Sequence, residues 1–324
     1  MAKLLKSLKY YYKKDGIKGA VRFIMRKMAG LDQYEDQINT LYYILNTFCD
    51  ATQMPPTKDP ELRILQQCDA LLLAIFDKLC QKYQLTYWID FGTLLGATRH
   101  KGFIPWDDDM DISMPREDFD LVVEKLSNEA QKLGLNITEE IETPCRKGGF
   151  SYRHEETGIW LDIFPVDKVK SKTKRDDPAF TLSSRILNYK KQYSKYLKKH
   201  KDKVFFTELK KQIIPDEDGE YLIYYHGPEF NYKTLVIHDE HEIFPLRTIN
   251  FEGYSVNAPH DIHHYLSRYY GKRYMELPIS GALHHGGGVE RPPIRHWARL
   301  HGIDMVEVRH SLEQILLQID NSCN

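Results

Sequence analysis

The stretch Gly92–Asp118, GTLLGATRHKGFIPWDDDMDISMPRED, places Asp107, Asp108, Asp109, Asp111 and Asp118 close together, with Arg116 the one basic residue among them. Clustered carboxylates raise one another's pKa by repulsion. A bound divalent cation removes that cost, and hard cations such as Mg²⁺ prefer oxygen ligands. The spacing narrows the chemistry further. Met110, Ile112 and Met114 alternate with acidic and polar residues. As a strand, this run turns Asp109 and Asp111 to one face and the apolar residues to the other.

Several sites use such carboxylates. An EF-hand loop would take ligands from Asp107, Asp109 and Asp111, but its sixth position is Ile112 and its twelfth is Asp118, where glycine and glutamate are required. A phosphatase would use Asp109 as nucleophile at the end of an apolar strand, and GFIPWDD is a poor strand. An acidic cap for the helix starting at Pro115 needs one Asp, not four. A nucleotidyltransferase arrangement fits the surroundings best. Gly92 and Thr93 read as a turn after a strand, with fifteen residues between Thr93 and Asp109. Backbone N–H groups and a hydroxyl there would cradle phosphate, while Asp109 and Asp111 hold Mg²⁺ or Mn²⁺. The third carboxylate such a site needs is offered by Asp162, between Leu161 and Ile163 in WLDIFP.

The elements that must position these residues follow from periodicity. Leu62, Leu65, Leu72, Ile75, Phe76 and Leu79 recur at helical spacing over Glu61–Tyr83. LTYWIDFG reads as a strand, Thr93–Thr98 as a short helix, MDISM as a strand and Pro115–Leu133 as a helix with proline at its start. GFSYRH and GIWLDIFPVD read as two more strands, and a last helix covers about 305–319. The fold class expected is α+β: a nucleotidyltransferase-like core with a small mixed sheet flanked by helices.

The chain has 324 residues, enough for one large domain or two ordinary ones, and its 42% hydrophobic content supports a real core. With 45 basic and 46 acidic residues the balance points to no polyanion, and no nucleic-acid partner is expected. The five cysteines form no C-x-x-C pair, which argues against a disulfide framework or cysteine zinc site and for a reducing cytoplasm. The longest apolar run, ALLLAIF, is far shorter than the roughly 20 residues that span a bilayer.

Charge is uneven along the chain. Residues 1–30 carry nine Lys and Arg against Asp15 alone, with leucines and Phe23 interspersed. Such a segment reads as a membrane-surface anchor or as a solvated helix at the domain edge. A second basic block, about 168–205, reads as an inserted helical arm. Three parts are expected: amphipathic helices over 1–58, a catalytic domain over 59–275 carrying the insertion, and a C-terminal loop and helix over 276–324.

YWIDFGTLLGATRHKGFIPWDDDMDISMPREDFD closely resembles the signature of the LicD family, which includes the fukutin-type proteins, and IWLDIFPVD resembles its second block. FPLRTINFEGYSVNAPHD and YLSRYYG are weaker echoes, so the resemblance covers about residues 60–275. It implies a metal-dependent enzyme that moves a phosphorylated alcohol, phosphocholine first and ribitol or glycerol phosphate next, from a CDP-activated donor to a sugar hydroxyl; the alternative is a non-catalytic, membrane-associated glycan-binding protein that keeps the fold. The acceptor implied is a glycan or lipid-linked glycan, and the location is cytoplasmic, peripheral on the inner membrane face. Asp109, Asp111 and Asp162 would be metal ligands and catalytic residues, with Asp162 also taking the acceptor's proton. Gly92, Thr93, Arg99, His100 and Arg153 would contact phosphate, and Asp107 and Asp108 would support the metal's waters or Arg99. For a choline group, Trp88, Trp160 and Trp297 are candidate cation-binding rings. The basic arm and the tail HHGGGVERPPIRHWARLH depart from the family pattern.

Overall fold

The computed structural model describes residues 31–140, 147–169, 221–224, 237–277 and 293–323, together with positions 9, 10 and 13. Nearly all of the basic N-terminal stretch, almost all of the 168–205 arm, and His284 and His285 lie outside the described residues. Met1–Ala51 with Met275–Ala282 make one compact unit, and Thr52–Tyr274 with Leu283–Asn324 make a second.

In the first unit, helix α1 (Leu31–Phe48) is tied to the 275–282 segment by side chains on its last turns. The Tyr42 hydroxyl donates to the Glu276 carboxylate at 3.0 Å. The Asn46 side chain accepts the Leu277 N–H at 2.8 Å and donates to the Leu277 carbonyl at 3.4 Å.

The second unit opens with α2 (Pro60–Tyr83), β1 (Trp88–Ile89), α3 (Phe91–His100) and β2 (Asp111–Pro115). A helical run follows: α4 (Arg116–Leu121), a π turn (Val122–Leu126) and α5 (Ser127–Lys132). Next come β3 (Asn136–Glu140), β4 (Lys147–Ser151), α6 (His154–Thr157) and β5 (Trp160–Val169), then β6 (Tyr221–Tyr224), β7 (Ile237–Asp239) and α7 (Glu240–Ile243). The hairpin β8 (Arg247–Phe251) and β9 (Tyr254–Ala258), then α8 (Ile262–Tyr270), α9 (Trp297–Leu300) and α10 (Met305–Cys323) complete it.

Helix α2 starts where Asp59 accepts the N–H groups of Glu61 and Leu62 at 3.0 and 3.2 Å, with Pro60 at its first position. It ends at Gln84, whose φ of 57° is left-handed. The expected periodic face is there: Leu65, Leu72, Ile75, Phe76 and Leu79 are buried. Cys68, Ala70, Leu71 and Leu73 are buried too, because α2 lies between α10 and the sheet. A helix packed on two sides buries a wider apolar stripe than one at a domain surface.

The sheet runs β1-β2-β5-β4-β3, with β6 added along the far half of β5 and β7 beside β6. Strands β2 and β5 are parallel, and every other pairing is antiparallel. The expected mixed α+β arrangement is therefore found. Parallel neighbours need a crossover, here supplied by the α4–α5 run and the β3–β4 hairpin. Strand β3 was not anticipated, because NITEE is mostly polar. Arg153, placed on a strand by the sequence, lies two residues past the end of β4 with a left-handed φ of 50°.

The far side of β1 is locked by aromatic packing. The fully buried Trp88 donates its indole N–H to the Tyr265 hydroxyl at 3.2 Å. His238 stacks on Tyr265 with centroids 4.1 Å apart and bonds Glu242 at 3.0 Å, and Glu242 also accepts from Arg268. Trp88 is therefore core and unavailable as a ligand-binding ring. Among the described residues, no helix is long and apolar enough to cross a membrane.

Candidate active site

The site is built on the junction of β1, α3 and β2. Asp90 leaves β1 in extended conformation and caps α3, its Oδ1 accepting the Phe91 N–H at 2.7 Å. Its Oδ2 accepts the Ser113 hydroxyl at 2.5 Å, joining the cap to β2. The backbone of Asp111 is held from both sides: its carbonyl accepts the Asp90 N–H at 2.9 Å, and its N–H donates to the Thr93 hydroxyl at 2.8 Å. Gly92 and Thr93, read from sequence as a turn, are thus the first turn of a helix whose cap is Asp90. Thr93 positions β2 as well as presenting its hydroxyl near Asp111. Phe91 carries a φ of 38°, a strained value for a non-glycine residue and one that strained functional sites often store.

Strand β5 supplies the partner carboxylate. Asp162 donates its N–H to the Met110 carbonyl at 2.8 Å, and the parallel register pairs Asp111 with Asp162. Side chains at paired positions of neighbouring strands point to the same face. Met110, Ile112, Met114, Leu161 and Ile163 are all buried on the other face, as the alternation implied. Burial, then the charges of Asp109, Asp162, Asp107 and Asp90, push the Asp111 carboxyl well above the usual carboxylate range. Asp109 lies in the loop just before β2. The sequence-selected acids Asp107, Asp109, Asp111 and Asp162 therefore share one electrostatic field. Asp107, Asp108 and Asp109 can each bring a carboxylate oxygen within 4.8 Å of the others.

The loop carrying them is braced from three directions. The fully buried Gln66 of α2 donates its amide to the Asp107 carbonyl at 2.9 Å. Glu252, at the β8–β9 turn, accepts the Phe103 N–H at 3.2 Å and binds Arg63 through both oxygens at 3.0 and 2.7 Å. Asp107 itself packs against Gly92, where an added Cβ would come within 2.7 Å of its Oδ2. Glycine at that position lets the acidic loop close onto the N-terminal turn of α3, whose partial positive charge favours carboxylates.

Asp162 has its own support. The Trp160 indole N–H donates to Asp162 Oδ1. That indole lies across Gly149, which is paired with Asp162 in the sheet, and a Cβ on Gly149 would fall 1.9 Å from the ring. Gly149→Ala is expected to push the indole off Asp162. Overpacking of this kind costs about 1–3 kcal/mol, and the melting temperature and the transfer rate of that variant are both expected to fall. A variant with wild-type rate would show that the indole does not orient Asp162.

The remaining expected residues divide. Arg99 is 4% exposed; its Nη1 donates to the Tyr274 carbonyl at 2.9 Å and its Nε to His100 at 2.9 Å, and Asp107 is among the charges that act on it. Burial and the Arg99 charge pull His100 down to about 4, so at neutral pH it is an uncharged acceptor for Arg99 and adds no positive charge for a phosphate. Arg153 pairs with Glu156 and is largely exposed. Aromatic rings the sequence did not single out cluster on the residue after Asp90: half-buried Phe91 meets Phe164 at 5.2 Å and Tyr269 at 5.0 Å, both edge to face. Burial of the Tyr270 hydroxyl, then the charges of Asp111, Asp90, Asp107 and Asp109, raise it far above the phenol range.

Residues 84–201 match the family described as LicD/FKTN/FKRP, nucleotidyltransferase domain. The chain is 27% identical over 240 residues to the lipopolysaccharide cholinephosphotransferase LicD of Haemophilus influenzae, covering 64% of this chain and 88% of that protein. It is also 38% identical over 96 residues to an uncharacterized protein of Rickettsia prowazekii, which is 29% of this chain and 32% of that one.

Proposed function

From the premise that residues 84–201 form a domain of the LicD family, a phosphotransferase family, we propose that this enzyme transfers phosphocholine from CDP-choline to a sugar hydroxyl of a cell-surface glycan or its lipid-linked precursor. The observation that carries the reading is the pairing of Asp111 with Asp162 on parallel strands, with Asp109 in the same field. Two carboxylates paired across β2 and β5, with the acidic loop of Asp107, Asp108 and Asp109 leading into β2, suit a cation and a polyphosphate far better than they suit a stable metal-free surface.

The β1–α3–β2–β5 arrangement is read as a nucleotidyltransferase-like core. A divalent cation, Mg²⁺ or Mn²⁺, held by Asp109, Asp111 and Asp162 would neutralise charge on the donor diphosphate and on the departing CMP. The chain's own residues account for the rest. Asp162, oriented by the Trp160 indole, takes the proton of the acceptor hydroxyl as its oxygen bonds to the phosphorus and the bond to CMP breaks. Thr93 fixes Asp111 through its backbone, and Asp90 fixes both α3 and β2. Arg99, beside Asp107, limits the repulsion within the acidic loop.

Phosphocholine is preferred over a polyol phosphate on chemical grounds. Phe91 follows Asp90, and Phe164 lies two residues past Asp162 on β5 and so on the same face, while a quaternary ammonium is attracted by aromatic faces and by negative charge alike. Ribitol and glycerol carry no charge to exploit either. The basic stretches at 1–30 and about 168–205 would hold the enzyme at an anionic inner membrane face, where a lipid-linked acceptor resides. A donor panel of CDP-choline, CDP-ribitol and CDP-glycerol tests the choice. Choline transfer is expected to exceed polyol transfer by about tenfold or more in kcat/KM, which corresponds to ~1.4 kcal/mol, between the values of an exposed and a desolvated cation–π contact. Equal use of all three would remove the aromatic argument.

A further inference from the structure

The side chain that orients Asp162 is itself held, and the residues that hold its ring have no part in the reaction above. Trp160 donates its indole N–H to Asp162 Oδ1. Its backbone is fixed by the fully buried Asp69 of α2, whose Oδ1 accepts the Trp160 N–H at 3.2 Å. Its ring is fixed by a different element. His154, the first residue of α6, meets the indole with ring centroids 4.5 Å apart and planes tilted by 48°. His154 also meets Trp297, with centroids 5.7 Å apart. Two indoles that the sequence offered as rings for a cation are thus engaged with one imidazole. The His154 Nδ1 is sealed from solvent and has no hydrogen-bond partner among the described residues, so ring contacts rather than a bond at Nδ1 hold it. Burial lowers the imidazole below its ordinary range, against the charges of Glu155 and Asp162. It is therefore uncharged at neutral pH and brings no competing cation toward Asp162.

Helix α6 presents His154 because both of its ends are pinned. Arg153 enters it with a left-handed φ of 50°. The buried Thr157 hydroxyl donates to the Tyr152 carbonyl at 2.8 Å and accepts the Ile159 N–H at 3.2 Å. Gly158 closes the helix with φ 80°, and a Cβ there would fall 2.3 Å from Ile294. Glycine permits the left-handed turn and lets the C-terminal segment lie directly on it. That segment is docked by charge at the start of α2. Arg295 pairs with Asp59 at 3.1 Å, while Glu61 takes His296 and also Arg299, the latter at 2.9 Å. A 3₁₀ turn, Ile294–His296, then runs into α9 and delivers Trp297 to His154. Trp297 lies outside residues 84–201, which carry the family match.

We propose that His154 is a positioning residue for Asp162, acting through the Trp160 indole, and that Trp297 braces it. A C-terminal segment beyond the family domain thereby helps to set the angle of the carboxylate that takes the acceptor's proton. The proposal rests on the reaction above for the role of Asp162, while the chain of ring contacts stands apart from that reaction. A group aimed by packed neighbours loses rate rather than substrate affinity when the packing goes, and a misplacement of about 1 Å costs up to roughly a hundredfold.

The test reads the indole N–H resonances of the full chain, which has four tryptophans. Trp160→Phe identifies the Trp160 signal, and Asp162→Asn shows where that signal moves when the carboxylate bond is lost. His154→Ala is expected to move it the same way and to lower kcat by about tenfold to a hundredfold, with KM for CDP-choline unchanged. Trp297→Ala is expected to give a smaller change of both kinds. His154→Phe, which keeps a ring, is expected to restore both. The Trp88 signal, set by the Tyr265 hydroxyl, is expected to stay in place throughout and so separates a local change from a general loosening. If His154→Ala does not fold, His154→Gln is read in its place. A Trp160 signal unmoved in that variant overturns the proposal, as does a moved signal with an unchanged rate. Failure of His154→Phe to restore the signal and the rate overturns it as well. If the wild type transfers nothing from CDP-choline, the proposed reaction falls, and the resonances alone then decide whether His154 and Trp297 hold Asp162.

Discussion

Asp111→Asn is expected to slow transfer by about a thousandfold, roughly 4 kcal/mol of barrier, while the metal-free protein melts at the same temperature or higher. Both halves come from one arrangement. Asp111 is surrounded by Asp109, Asp162, Asp107 and Asp90, and burial and those charges already oppose its ionisation. Asparagine removes the repelled charge but keeps the shape, and its backbone still bonds Asp90 and Thr93. Stability held in reserve against function is common where active sites concentrate like charge. A purely structural Asp111 would give the opposite pattern, with a lower melting temperature and a nearly unchanged rate. Single-turnover rates and thermal melts on the same preparation separate the two.

Metal removal carries the second large effect. A chelator is expected to abolish transfer, and millimolar Mg²⁺ or Mn²⁺ to restore it. Saturating metal is also expected to raise the melting temperature. A ligand at a hundred times its Kd stabilises by about 2.7 kcal/mol, and for a chain of this size that corresponds to roughly 5 °C. The gain arises because acids that repel in the metal-free protein become ligands. In Asp111→Asn the gain is expected to shrink, since one repelling charge and one ligand have gone together. Full activity in excess chelator would remove the cation from the account.

How much of this was legible beforehand depended on range. Period-two alternation placed Met110, Ile112 and Met114 inward and so set Asp111 facing the site, because that pattern is local. The α2 helix was legible for the same reason. What the sequence left hidden rests on partners far along the chain. Asp69, in CDALLLAIF, reads as the polar position of an amphipathic helix. Its importance appears only when Trp160, 91 residues away, donates to it. Gly149 reads as an ordinary strand glycine until the Trp160 ring is seen to lie on it. Gly92 and Thr93 were read as a turn because the capping role of Asp90 was not recognised, and a capped helix start looks much like a glycine turn in sequence. Trp88 was a candidate ring by composition, and the structure makes it core by burying it under Tyr265 and Phe244.

The similarity to known proteins and the geometry bear on different links of the argument. The 27% identity to a lipopolysaccharide cholinephosphotransferase bears on the class of reaction, and the register of β2 on β5 bears on which residues perform it. The donor, the cation and the acceptor are the steps that remain for experiment, and one assay reaches all three. Purified protein is incubated with CDP-choline, Mg²⁺ and a lipid-linked or lipopolysaccharide glycan, and the products are identified by mass. The account predicts CMP together with a glycan heavier by one phosphocholine, both absent when Asp162 is replaced by Asn. Transfer of the cytidylyl group to the acceptor, or phosphocholine transfer that persists in Asp162→Asn, would contradict it.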